Sequence, residues 1–140
     1  CLQANAGGLS FIRLATPTTD AERLPKVMQN TSGFVYYVSI AGVTGTATPD
    51  FSVVGGAVER LRQASGLPIA VGFGIRTPDH AAQVARVADA AVVGSALVQL
   101  VADNLDQNGR AKPGLADAVL GHVSALADGV RKARLRKDVA

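Results

Sequence analysis

Residues 33–45 read Gly-Phe-Val-Tyr-Tyr-Val-Ser-Ile-Ala-Gly-Val-Thr-Gly. The run from Phe34 to Ser39 is short, aromatic and β-branched, and lacks clean alternation. That pattern predicts a strand over 34–39 that is covered on both faces, as in a parallel sheet. A glycine-bearing loop follows, Ala41-Gly42-Val43-Thr44-Gly45, and then Thr48-Pro49-Asp50. A Thr can cap the free amides of a helix start, a Pro fits the first helical position, and an Asp suits the positive end of the dipole. Beyond it, Val54, Ala57, Val58, Leu61 and Ala64 share one face at helical spacing, which predicts a helix over 51–64. The unit is strand, glycine loop, helix.

The same unit recurs on both sides. Downstream, 68–73 (PIAVGF) predicts a strand, Gly72-Phe73-Gly74-Ile75 a loop, and Thr77-Pro78-Asp79 a second helix start. The helix over 79–88 places Ala81, Val84, Ala85 and Ala88 together. Next come a strand at 90–93 (AAVV), read mainly from context because Ala is a poor strand former, the loop Gly94-Ser95-Ala96, and a helix from 95 to about 105. Upstream, 9–15 (LSFIRLA) predicts a strand, with Thr16-Pro17 and Asp20 as a looser copy of the helix start. A weaker helix is expected over 21–29, because the Pro25 inside it can kink it. A last helix, 113–136, carries Leu115, Val119, His122, Val123, Leu126 and Val130 on one face. Strand–helix crossovers give parallel strands. An open doubly wound sheet fits, and so does part of a (β/α)8 barrel. A whole barrel takes about 250 residues and eight strands, so a barrel reading expects one domain, 1–140, holding about half of it.

Composition narrows the function classes. The chain has 140 residues, 48% of them hydrophobic and 18% charged, which suits a folded core rather than disorder. Fourteen Lys and Arg against eleven Asp and Glu leave +3, too small a surplus for a nucleic-acid groove despite a pI near 9.4. No apolar run nears the roughly 20 residues of a membrane span. The single cysteine, Cys1, excludes an internal disulfide and a multi-cysteine zinc site. The sequence opens on Cys1 with no basic segment followed by an apolar one, so no signal peptide is visible, and a processed terminus or a fragment is expected.

Three glycine loops after three neighbouring strands suggest a site at the carboxyl ends of a parallel sheet. Glycines let backbone amides approach a ligand closely. The third loop also opens a helix, whose free amides and dipole suit a phosphate, with the Ser95 hydroxyl as a further donor. The expectation is a phosphate cradle of main-chain amides that uses no metal. No Lys-Ser/Thr ending makes any of these a P-loop. One such loop alone would be an ordinary turn; three together favour the site.

These motifs, 33–39, Gly42-Val43-Thr44-Gly45, Gly72-Phe73-Gly74-Ile75 and Gly94-Ser95-Ala96-Leu97-Val98, resemble the tryptophan synthase alpha chain. Their order and spacing are similar to the last four βα units of that TIM (β/α)8 barrel, with 9–20 resembling the fifth strand and its loop. The resemblance implies a cytoplasmic lyase of tryptophan biosynthesis. It would cleave indole-3-glycerol phosphate by a retro-aldol reaction to indole and glyceraldehyde 3-phosphate, use no cofactor, and work with a tryptophan synthase beta chain. By the same resemblance, Gly45, Gly74, Gly94 and Ser95 bind phosphate and Phe73 lines the indole pocket. Tyr36 stands beside the catalytic glutamate, and Thr44 belongs to a mobile loop that closes over the site. The acid–base glutamate and aspartate of the family lie in the first half of the barrel, outside this sequence. The chain alone is therefore expected to be inactive, and to pair with itself or with the missing half. A non-catalytic phosphate-binding or assembly half-barrel is the alternative. Ile40-Ala41 departs from members that carry a basic residue there.

The remaining polar residues have plainer readings. Asp50 and Asp79 start helices, Glu22 and Glu59 lie on solvated faces, and Asp89, Asp103 and Asp106 read as surface or turn residues. His80 is expected exposed and His122 half-buried in packing. Tyr37 should pack on the face opposite Tyr36. The run from Arg131 to Lys137 reads as the basic end of a helix.

Overall fold

The computed structural model describes residues 2–39, 51–72 and 74–137. A short helix α1 (Leu2–Ala6) precedes strand β1 (Arg13–Ala15), helix α2 (Leu24–Met28), strand β2 (Val35–Val38), helix α3 (Phe51–Ser65), strand β3 (Ile69–Gly72), helix α4 (Pro78–Val87) and strand β4 (Ala90–Val92). Helices α5 (Ser95–Asp103) and α6 (Leu115–Lys137) complete the order. The four strands pair in parallel in the sequence β1-β2-β3-β4, with no reversal of direction across the sheet. No helix among the described residues is long and apolar enough to cross a membrane.

The register aligns side chains in two alternating sets. Ala15, Val35, Tyr37, Ile69 and Val71 all belong to the buried core cluster, with Val54, Val58 and Leu61 of α3 and Ala81, Val84 and Ala88 at α4. Leu14, Tyr36, Ala70 and Ala90, aligned across the four strands, do not. Leu14 is 61% exposed. The helices thus cover one face; on the other, β3 is buried along its whole length, Ala70 included, as its apolar run suggests, whereas the outer strands stay open there. One-sided cover with sequential strand order is the geometry of a barrel sector, whose second face would be the barrel interior, and not of a doubly wound sheet.

The helix starts follow their sequence chemistry. Thr77 is the N-cap of α4, its Oγ1 accepting the His80 N–H at 3.2 Å, with Pro78 at the first position and Asp79 in the first turn. The looser copy works differently: Asp20 Oδ1 accepts the Arg23 N–H at 2.8 Å one turn ahead of α2. Because α2 begins at Leu24, Pro25 falls in the first turn, where its missing N–H costs nothing, and no kink is needed. Thr48-Pro49-Asp50 lies outside the described residues.

Asp89 is the surface turn residue that the sequence suggests, and it is also an anchor. Its carboxylate accepts the Ile69 N–H at 2.8 Å and the Arg62 guanidinium at 3.1 Å, joining β3, α3 and the turn before β4. Arg134 of α6 donates to the Asp89 carbonyl, and Arg131 pairs with Asp128, so the basic tail is helix, packed at its inner side.

Candidate functional site

The carboxyl ends of β2, β3 and β4 lie side by side, because each is hydrogen-bonded to the next. Ser39, one residue beyond β2, ties the first two ends together: its Oγ donates to the Gly72 carbonyl at 2.8 Å and its N–H reaches the same oxygen at 3.2 Å.

Tyr36 points to the uncovered face, and its ring leans toward Gly72, two residues up the neighbouring strand from its pairing partner Ala70. A side chain at Gly72 would occupy the position of the Tyr36 hydroxyl. Gly72 is therefore glycine because the phenol needs the space, a reason that residue type alone does not reveal. Burial pushes the Tyr36 phenol above its ordinary pKa. Tyr37 lies on the opposite, packed face at 2% exposure, as its alternation implies. Its phenol is also raised by burial, partly offset by Arg60.

Gly74 adopts φ +75°, a left-handed conformation that side chains rarely tolerate, and so turns the chain immediately after β3. Ile75, 2% exposed, pins that turn into the core. One strand over, Gly94 is the N-cap of α5 and offers no capping side chain. Its carbonyl accepts the Leu97 and Val98 N–H groups at 3.0 and 3.1 Å, while the Ser95 and Ala96 amides open the helix, where no preceding turn supplies acceptors. Two of the glycine loops therefore lie at adjacent strand ends, and the second opens a nine-residue helix whose positive dipole end is there. Thr44, Gly45 and Phe73 lie outside the described residues, as does Cys1.

Beside the helix start runs an open cleft of about 440 Å³, lined by Arg76, Ser95, Gln99, Asp103 and His122 among others. Neither Arg76 nor the cleft follows from residue spacing; the nearest clue is a cation placed directly after a glycine turn. His122 is half-buried on α6 and faces this cleft. His80, in the first turn of α4, is half-buried rather than exposed.

Several acids of the described residues already have partners. Glu59 pairs with Arg62 at 3.0 Å, Asp103 accepts from Gln99 at 2.8 Å, and Asp106 closes a turn through the Asn108 and Arg110 amides. Asp79 sits at a helix start. Burial alone would raise the Asp89 carboxyl, but the Ile69 amide, Arg62 and Arg134 more than offset it and hold it below the usual range.

Comparison with known proteins agrees with this fold. A family model described as tryptophan synthase alpha chain matches residues 1–125. A solved tryptophan synthase from Mycobacterium tuberculosis is 33% identical, with a TM-score of 0.75, over 93% of this chain and 45% of that one. The tryptophan synthase subunit alpha from Legionella pneumophila is 32% identical, with a TM-score of 0.72, over 91% of this chain and 45% of that one. The chain spans less than half the length of these relatives. Its strands and helices correspond to the C-terminal half of a TIM barrel, and the chain belongs to the tryptophan synthase alpha chain family.

Proposed function

We propose that this chain supplies the phosphate grip, part of the indole pocket and the closing loop of an indole-3-glycerol phosphate lyase in tryptophan biosynthesis. Gly74, Gly94 and Ser95, with Gly45, hold the phosphate through main-chain N–H groups and the Ser95 hydroxyl. Tyr36 and Phe73 flank the indole, and Thr44 closes over it. The reaction breaks the bond between the indole ring carbon and the side-chain carbinol. The ring carbon gains a proton, the carbinol hydroxyl loses one, and indole and glyceraldehyde 3-phosphate result. Those transfers need positioned acids and bases. The residues described contribute orientation and charge stabilisation instead, so the chain by itself binds the phosphate end weakly and releases no indole. The whole enzyme is a cytoplasmic protein that hands indole to a beta chain.

The observation that carries this reading is the pair of N–H-bearing loops, the Gly74 turn and the Gly94–Ser95 helix start, at adjacent strand ends. Titration of the purified chain with glycerol 3-phosphate tests it: the amide resonances of Gly74, Gly94 and Ser95 should move together in one saturable isotherm. Indole release by the chain alone would contradict the division of labour. The phosphate loops by themselves equally support the second reading, a non-catalytic phosphate-binding or assembly half-barrel. Adding the N-terminal half of a family member distinguishes the two, since only the enzyme reading expects indole release to appear.

A further inference from the structure

We propose that Arg76 is a charged anchor for the bound phosphate, sharing a cleft with the α5 start. The inference rests on the reading of Gly74, Gly94 and Ser95 as a phosphate grip and adds to it the full positive charge that main-chain amides lack. Arg76 has a defined station in the fold. It stands between Ile75, which is 2% exposed in the core, and Thr77, the N-cap of α4, so both of its neighbours are fixed while its own side chain is exposed. It lines the same 440 Å³ cleft as Ser95 and Ala96, the first two residues of α5. Among the described residues the arginine ion pairs belong to Arg62 and Arg131, and none takes up Arg76.

The other charged or titratable groups of that cleft do not compete for it at close range. Asp103 makes no ion pair with Arg76 among the described residues, and its Oδ1 accepts from Gln99 at 2.8 Å. His122 belongs to α6 and also lines the cleft. A guanidinium fork matches two phosphate oxygens at once, and charge-assisted hydrogen bonds of that kind are roughly twice as strong as neutral ones. A phosphate dianion is accordingly held by dipoles and by a cation.

The test uses the whole chain, labelled with nitrogen-15 and titrated with glycerol 3-phosphate, following the Gly94 and Ser95 amides. Arg76→Gln should weaken binding by about tenfold or more, as expected for loss of a charge-assisted pair. Arg76→Lys should restore part of the loss, because it keeps the charge and not the fork. Added salt should weaken the native complex more than the Arg76→Gln complex. Thermal melts should coincide for all three, since the side chain is exposed. If Arg76→Gln binds as tightly as the native chain while Gly94 and Ser95 still shift, the anchor is wrong and the grip stands. If the native chain shows no saturable shift at Gly94 and Ser95, both the grip and the anchor are wrong.

Discussion

At the scale of single residues, two side chains do work that their types do not announce. Asp89 is 45% exposed in its side chain, yet it fixes the start of β3 to the turn before β4 through the Ile69 amide. Replacing it with Ala removes that bond and the Arg62 pair. The pair contributes little because it faces water, so the expected loss is about 1 kcal/mol, the worth of one hydrogen bond. The pH dependence follows from the depressed carboxyl. A group whose folded pKa lies below its unfolded value stabilises above the unfolded pKa, near 3.9, and loses that contribution as pH falls through the folded value. Denaturant melts of the native chain and Asp89→Ala should therefore differ at neutral pH and converge in acid below about pH 4. A gap that stayed constant into acid would contradict the linkage. Gly72 is the second case. Gly72→Ala should displace the Tyr36 ring while leaving the helical core intact, so the tyrosine environment changes without a matching fall in stability. Ultraviolet titration in alkali reads this: the raised Tyr36 phenol should titrate closer to about 10 in the variant. An unshifted phenol would show that the ring does not depend on Gly72.

At the scale of elements, α6 packs along α4 by backbone approach as much as by side chains. Gly129 of α6 faces the Pro78 carbonyl so closely that a Cβ there would collide with backbone, whereas Gly121 of the same helix faces open space. Ala improves a helix interior over Gly by up to about 1 kcal/mol, and overpacking against backbone costs about 1–3 kcal/mol. The two substitutions should therefore have opposite signs: Gly121→Ala raises the melting temperature and Gly129→Ala lowers it. Equal effects would mean that α6 does not seat on Pro78. The helices were the legible part of this architecture. The apolar faces at 51–64 and 79–88 coincide with α3 and α4 to within a residue or so, because a 3.6-residue period and a Thr-Pro-Asp start are local properties. Strand β1 is shorter than its apolar run, since strand length depends on pairing and not on composition. One-sided cover of the sheet was not legible, because a residue facing a barrel interior is as apolar as one facing a helix. Tyr36 could be assigned its face by alternation with Tyr37, but its dependence on Gly72 is a contact between strands 36 residues apart in number and so escapes any local reading. The same holds for Asp89, whose main-chain partner lies 20 residues away.

For the whole molecule, exposed apolar surface makes the argument. The exposed large apolar side chains include Leu9, Ile12 and Leu14 at the first strand, and Val98, Leu120 and Val123 on the helices after the last. They flank the two ends of the sheet, where among the described residues no further strand pairs with β1 or β4. Unpaired parallel edges and an apolar inner face favour association. The chain is therefore expected to sediment as a dimer or larger species, or to bind the complementary half of a family member. Leu14→Asp separates this from ordinary packing. Leu14 is 61% exposed on the inner face, so within a single chain its replacement should cost almost nothing in stability. If that face is covered by another polypeptide, the buried charge has no partner and association should fail. Sedimentation velocity at several concentrations reads the outcome. Assembly of the native chain with a monomeric, equally folded Leu14→Asp variant is the expected result; a native chain that stays monomeric across that range would contradict it.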